Sequence, residues 1–265
     1  MRRTVHDVRI PLLLAALVAL AALPLAGCRG GNPPRSELDR ILAPFRALPT
    51  DVREDSLRAF LRTHPDQARF ALFELGNLYY QRAGKEKVEP GPNSVTGVNA
   101  LLDSAVTFFE AAMTSDSTFV EPIVNLGLVW DDLSEGNTPQ ARRAMNRARE
   151  LYTAAIALRP TDEIARCNLA ALEMRLRRYP EALKHIRAVL AADPHSALAH
   201  YNLAIMFAET KIYREARHEW ELAVKYDPDG DIGRRSRENL KVIDDLMHAK
   251  VPDNLEQPAA GSSRS

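Results

Sequence analysis

Two cysteines, two tryptophans and twelve glycines are all that 265 residues contain of these types, and 6% of the chain is aromatic. Neither sign of charge is in excess, since 35 lysines and arginines stand against 35 aspartates and glutamates. Nothing in that balance suggests a nucleic-acid binder, and no long-range field would steer a highly charged ligand. Catalytic signatures are absent as well. There is no His-Glu-x-x-His, no Gly-x-Ser-x-Gly and no phosphate-binding glycine loop. The seven histidines are scattered, and His185, His200 and His218 are expected to be semi-exposed helix residues rather than metal ligands. A 46% apolar content with so few rings suits an Ala- and Leu-rich all-α protein with a solvated, mixed-charge surface.

What is present is a period. Two segments of 34 residues between Thr161 and Pro228 align without a gap, each ends in Asp-Pro, and a third proline lies one period earlier: Pro160, Pro194, Pro228. Asn168, Leu169 and Ala170 recur as Asn202, Leu203 and Ala204, and Tyr179, Glu181 and Ala182 recur as Tyr213, Glu215 and Ala216. A fixed period of this length means a repeat array. Upstream, Asn125, Leu126, Gly127 and Trp130 answer to Ala148, Tyr152, Ala155 and Pro160, with nine residues more than the unit allows. Earlier still, Leu75, Gly76 and Tyr79 answer to Ala105, Phe109 and Ala112, with seventeen extra residues. Thr138 and Pro139 read as N-cap and first helical residue, so the shorter insertion is expected to lengthen the loop around Gly136 and extend its helix backwards. The longer one, residues 83–98, is rich in Lys, Glu, Pro and Gly and reads as a surface loop.

These units resemble tetratricopeptide repeats, whose helix pairs carry a Leu-Gly or Leu-Ala pair and an aromatic on helix A, and Ala, a ring or aliphatic residue, Ala and Pro on helix B. The expected architecture is an α-solenoid of about four such pairs spanning 67–230. N-terminal helices at 36–66 would cap it, with Ser36 and Asp39 capping the first helix and Thr50 or Asp51 the second, whose apolar face carries Val52, Leu57, Phe60 and Leu61. A helix at 231–250, with Ile232, Leu240, Val242, Ile243 and Leu246 on its apolar face, would seal the other end before a disordered tail at 251–265. The resemblance implies a concave groove lined by helix A side chains: Phe73, Asn77 and Tyr80; Val124, Asn125, Leu128 and Asp131; Cys167, Asn168, Ala171 and Met174; and Tyr201, Asn202 and Ile205. Asparagines among apolar neighbours would match a peptide backbone, or would instead tie one repeat to the next. Members that clamp a C-terminal carboxylate need cations on the third repeat. Asn77 and Asn125 match that pattern, but Ile164 and Asn168 fill the basic positions, so no such clamp is expected.

The N-terminus reads as a processing signal. Arg2, Arg3 and Arg9 precede an apolar run interrupted by Pro11 and Pro24, which ends at Leu25, Ala26, Gly27 and Cys28. Those last four residues resemble the lipobox of bacterial lipoproteins, which implies cleavage after residue 27 and acylation of Cys28. The mature chain would hold 32 basic and 34 acidic groups, on a tether, residues 28–35, whose seven residues after Cys28 reach at most about 25 Å. Arg29 stands where enteric lipoproteins retained at the inner membrane carry aspartate. In a two-membrane envelope this favours the outer membrane, facing the periplasm.

Cys167 is then the one thiol left, either a small apolar groove residue or a site of intermolecular oxidation. Asp227, Asp229, Asp231 and Glu238 have EF-hand-like spacing, but Ile232 occupies the place of the turn glycine and arginines crowd the loop, so no metal is expected. No cofactor or enzymatic activity is expected either, because Asp131 is the one titratable carboxylate on the groove face. The functional expectation is a membrane-anchored scaffold or adaptor that binds a peptide or helix of another envelope protein. The alternatives are a regulatory subunit or adaptor of a cell-wall enzyme, and a structural spacer.

Overall fold

The computed structural model describes residues 36–88 and 94–248. Among them are eleven α-helices, one 3₁₀ turn (Pro65–Gln67) and no strand. The signal segment, Cys28, the tether, residues 89–93 and the tail 251–265 lie outside the described residues. Two compact units divide the chain, one reaching to Leu172 and the other starting at Glu173. No described helix is long and apolar enough to cross a membrane.

The first unit begins with α1 (Glu37–Arg46) and α2 (Thr50–Thr63), both packed on α3 (Ala68–Val88). Ser36 caps α1 as expected, its hydroxyl oxygen accepting from the backbone N–H of Asp39 at 3.1 Å. Neither Thr50 nor Asp51 caps α2. Pro49 holds that position without a side-chain hydrogen bond, and Arg53 ties the corner by donating to the carbonyls of Arg46 and Leu48 at 2.9 and 3.1 Å. α2 thus starts one or two residues earlier than expected; Val52 faces solvent rather than the core, while Leu57 is fully buried. Glu54 then binds the pair to α3. It accepts from the Tyr79 hydroxyl at 2.8 Å and from Arg82 at 2.6 Å, with Arg58 at 2.9 Å on its own helix. Burial pushes its carboxyl up, but the bonds from Tyr79, Arg82 and Arg58 outweigh this and leave it below the usual range.

Beyond the cap, α3 pairs with α4 (Ser94–Ser115) and α5 (Val120–Asp132) with α6 (Pro139–Leu158), and α4 also packs on α5; α7 (Glu163–Arg175) follows. Glycine sets how closely each pair approaches. A Cβ on Gly76 would lie 2.5 Å from the Phe109 ring, and one on Gly127 would lie 2.5 Å from the Tyr152 ring. Both rings are fully buried.

The insertions are mostly helix. α6 has 20 residues and α4 has 22 where α8 (Tyr179–Ala192) and α10 (Tyr213–Tyr226) have 14, and α3 has 21 where α5 has 13. For the shorter insertion the expectation holds, with Thr138 as N-cap accepting from Ala141 N–H at 3.0 Å, Pro139 at N1, and Gly136 at φ +91° in the turn. The surface loop expected over 83–98 is corrected. α3 continues to Val88, α4 begins at Ser94, and Ala83 and Val98 are buried. Every proline of the segment falls at 90–92, while Lys85, Glu86 and Lys87 are good helix formers. Gly84 and Gly97 sit inside these helical extensions with nothing within 4 Å of an added Cβ. Replacing either by alanine is therefore expected to stabilise the chain by about 0.5–1 kcal/mol, read as a higher urea midpoint. An unchanged or lower midpoint would mean that the extensions are not helical in solution.

The second unit contains the end of α7, then α8, α9 (Ala197–Glu209), α10 and α11 (Asp231–His248), with α9 packed on α8 and α10, and α11 on α9 and α10. Ala204 on α9, with Ala216, Trp220 and Ala223 on α10, repeats the small-plus-ring pattern inside the core. The Asp227 carboxylate accepts from the N–H groups of Ile232 and Gly233 at 3.1 and 3.2 Å, capping α11. Ile232 and Ile243 are buried as expected, but Val242 lies on the outer face, 58% exposed.

Candidate functional site: the helix A stripe

α3, α5 and α7 carry Asn77, Asn125 and Asn168 within the first unit. Asn125 donates from Nδ2 to Asn77 Oδ1 at 2.6 Å, so this pair ties one repeat to the next. Asn77 in turn points its Nδ2 at Glu74 Oε2, 3.5 Å away. Glu74 is buried and compensated by Arg46 at 3.1 Å and Arg53 at 3.7 Å, both from the N-terminal cap. The stripe thus starts in a buried ionic cluster that sequence patterning missed. Its members come from three helices, and no local spacing announces them.

Asn168 differs. It is 4% exposed, and its Nδ2 has no hydrogen-bond partner. A buried amide N–H left unmade costs about 1–3 kcal/mol, which a bound acceptor would recover. Asn125 is the one asparagine of the three that is only half-buried.

The other expected groove residues are more enclosed than a wide groove requires. Phe73, Asn77, Tyr80, Leu128, Ala171, Met174, Tyr201, Asn202 and Ile205 are each less than a tenth exposed. Phe73 belongs to an aromatic cluster, its ring 5.3 Å from Phe119 and 6.1 Å from Phe109. Tyr80 donates to Asp132 Oδ2 at 3.2 Å, and Lys87 on the α3 extension reaches the same oxygen at 3.4 Å. Asp131 is buried beside the hydroxyl of Ser134. In the second unit, burial pushes the Tyr201 hydroxyl above its usual range.

Burial also pushes the Asp132 carboxyl up, against the pull of Lys87 and Tyr80. A carboxyl raised in the folded state adds most to stability below its unfolded pKa of about 4, and the contribution fades as pH rises through the folded value. Asp132→Asn is therefore expected to unfold at a higher temperature than wild type at neutral pH, with the gap closing below pH of about 4. A variant less stable than wild type at neutral pH would mean that the Lys87 pair outweighs the burial.

Of the other residues singled out in the sequence, His200 departs most from its expected place. His200 is buried. Its ring nitrogens lie 2.6 Å from Glu219 Oε2 and 3.1 Å from the Pro194 carbonyl, and the ring lies 5.4 Å from that of Tyr226, so this histidine joins α9 to α10. His218 is exposed and His185 half-buried. Cys167 is completely buried, and burial first, then Glu163 and Asp162, push its thiol well above the ordinary value. That environment suits the small apolar role and opposes oxidation. The EF-hand carboxylates are engaged otherwise: Asp227 caps α11, Asp231 pairs with Arg234 and Arg235, and Glu238 pairs with Arg234 at 2.9 Å. Among the described residues no three His, Cys, Asp or Glu side chains group as metal ligands. Ile164 is half-buried and Asn168 neutral, so the third helix A presents no cation at those positions.

Residues 167–231 match the family model described as tetratricopeptide repeat. A heat-shock protein cognate co-chaperone of Aspergillus fumigatus, sgt12, is 27% identical over 135 residues, 49% of this chain and 40% of that protein. The aligned part thus spans well under half of that relative's length. A thermophilic tetratricopeptide-repeat protein of Thermus thermophilus superposes with a TM-score of 0.56 at 14% identity, covering 77% of this chain and 95% of the other. A tetratricopeptide-repeat protein from Parabacteroides merdae does so at 0.54 and 19%, covering 78% and 72%. At these identities the structural likenesses establish the fold and nothing further.

Proposed function

We propose that this tetratricopeptide-repeat chain is a membrane-tethered scaffold. Acyl chains on Cys28 would hold it in a bacterial envelope, at the outer membrane facing the periplasm where there are two membranes. The helix A stripe would receive an extended or helical segment of another envelope protein. The fold supports protein binding over catalysis, and the sequence of residues 25–28 supports the anchor.

The observation that carries the reading is the buried, unpaired amide of Asn168 on α7, at the repeat position that the half-buried Asn125 holds on α5. Once the side chains that cover it are displaced, a backbone carbonyl of the partner would take up the Asn168 N–H, and a backbone N–H would meet the free capacity of the Asn125 carbonyl. The chaperone connection in the fungal relative's description is not carried over, because Ile164 and Asn168 leave a terminal carboxylate without a counter-charge.

The test is capture of crosslinked partners from native membranes by the wild type and by Asn168→Leu, with circular dichroism confirming unchanged helicity. The scaffold reading expects one partner to be lost selectively. Identical partners would place the contact elsewhere and favour a spacer. If the lost partner is a cell-wall hydrolase or synthase, the chain is that enzyme's adaptor.

A further inference from the structure

We infer that the outer face of α6 is a second contact surface, which lays the first unit against anionic phospholipid headgroups. The inference concerns a different surface from the helix A stripe but rests on the same membrane tether.

Arg142, Arg143 and Arg147 line one exposed face of α6, and the helix carries four arginines against a single acid, Glu150. Arg147 pairs with Glu150 at 3.1 Å. Arg142 reaches only the side-chain oxygen of Asn137, at 3.2 Å, and Arg143 meets no carboxylate among the described residues. In a chain with equal numbers of acids and bases, this is a local excess of one sign.

Its placement is not explained by the helix. α8 and α10 carry Glu181 and Glu215 in their first turns, where the dipole favours acids, whereas the first turn of α6 has none and arginines follow directly. Arg142 and Arg143 also fall in the backward extension that lengthens α6 to 20 residues, so they are additions to the repeat rather than part of its core. Past Arg149 and Glu150, which border the same surface, the face continues through exposed Thr153, Ala154 and Ala157 to Leu158, none of them charged. Three guanidinium groups able to fork phosphate oxygens, continued by an uncharged strip of small side chains, suit a headgroup layer.

The tether supplies the second argument. Ser36 opens the first unit eight residues after Cys28, a reach of about 28 Å at most, so the unit that carries α6 stays at the bilayer surface. Each basic group near an anionic surface multiplies partitioning roughly fivefold, so with Arg147 offset by Glu150 the two net charges give on the order of 25-fold.

The test uses the native acylated chain on vesicles of pure phosphatidylcholine and of phosphatidylcholine containing one part in three phosphatidylglycerol. Sedimentation with the neutral vesicles checks the anchor by itself. Phenylglyoxal modification, mapped by peptide mass, is expected to be slower by roughly tenfold or more at Arg142, Arg143 and Arg147 on the anionic vesicles, with the difference lost at high salt. Equal rates on both vesicles, with the chain sedimenting on both, overturn the α6 surface and leave the anchor standing. A chain that fails to sediment with neutral vesicles overturns the anchor. Sedimentation with anionic vesicles alone, lost in Arg142→Gln/Arg143→Gln/Arg147→Gln at unchanged circular dichroism, would then still support the surface. Shielding seen in native membranes but not on anionic vesicles assigns the arginines to an acidic protein and overturns the lipid proposal.

Discussion

Gly127→Leu is expected to destabilise the first unit by about 3 kcal/mol or more, seen as a large fall in the urea midpoint. The cause is local. Even a single Cβ at this position comes within 2.5 Å of Tyr152 Cε1, and the ring is completely buried, so it has nowhere to swing. Leucine adds three more carbons along that direction. Gly127→Ala should cost less, about 1 kcal/mol net, because overpacking of about 1–3 kcal/mol is partly offset by the helical preference for alanine over glycine. The decisive measurement is the double variant Gly127→Ala with Tyr152→Leu. If the glycine exists to admit the ring, alanine is harmful with tyrosine opposite and neutral or helpful with leucine opposite, a coupling that two independent sites would not give. Additive effects would sink this account of how α5 and α6 approach.

The Gly127–Tyr152 and Gly76–Phe109 pairs were legible before any coordinates, because small residue and ring recur at positions fixed by the period. The cap at Ser36 and the start of α6 at Pro139 were legible for a similar reason: each depends on residues within one helical turn. The insertion at 83–98 was not. Two prolines and a glycine at 90–92 marked the whole segment as loop, although the breaker is three residues wide and the flanks are helix formers buried at Ala83 and Val98.

Polar partners across helices were the least legible. Glu54 meets Tyr79 and Arg82, Glu74 meets Arg46 and Arg53, and His200 meets Glu219 at separations unrelated to any helical period. Patterning found the asparagines of the helix A stripe, yet which of them is already engaged depends on side-chain directions that only the fold fixes. Asn77 accepts from Asn125, whereas the Asn168 N–H meets nothing.

Gly233→Ala is expected to cause the second large loss, about 3 kcal/mol or more, through the cap rather than the core. The Asp227 carboxylate binds the N–H groups of Ile232 and Gly233, which draws the Asp227 main chain over the first turn of α11. An added Cβ at 233 would collide with the Asp227 carbonyl oxygen. A flexible side chain could move aside, but this is backbone, held on its other side by the Asp227 N–H bond to the Ala223 carbonyl at 3.0 Å. Relief requires α11 to shift, which takes Ile232, Ser236 and Ile243 out of their buried positions. Because the terminal helix shields the last repeat, the variant should also aggregate on mild heating. Val242→Ala on the same helix should change stability by no more than about 0.5 kcal/mol, since that side chain is more than half exposed. Hydrogen exchange separates the outcomes. Fast exchange confined to α11 and the facing parts of α9 and α10 supports a displaced cap. Wild-type protection in Gly233→Ala would mean that the turn at Asp227 yields, and that the capping geometry described here does not hold α11 in place.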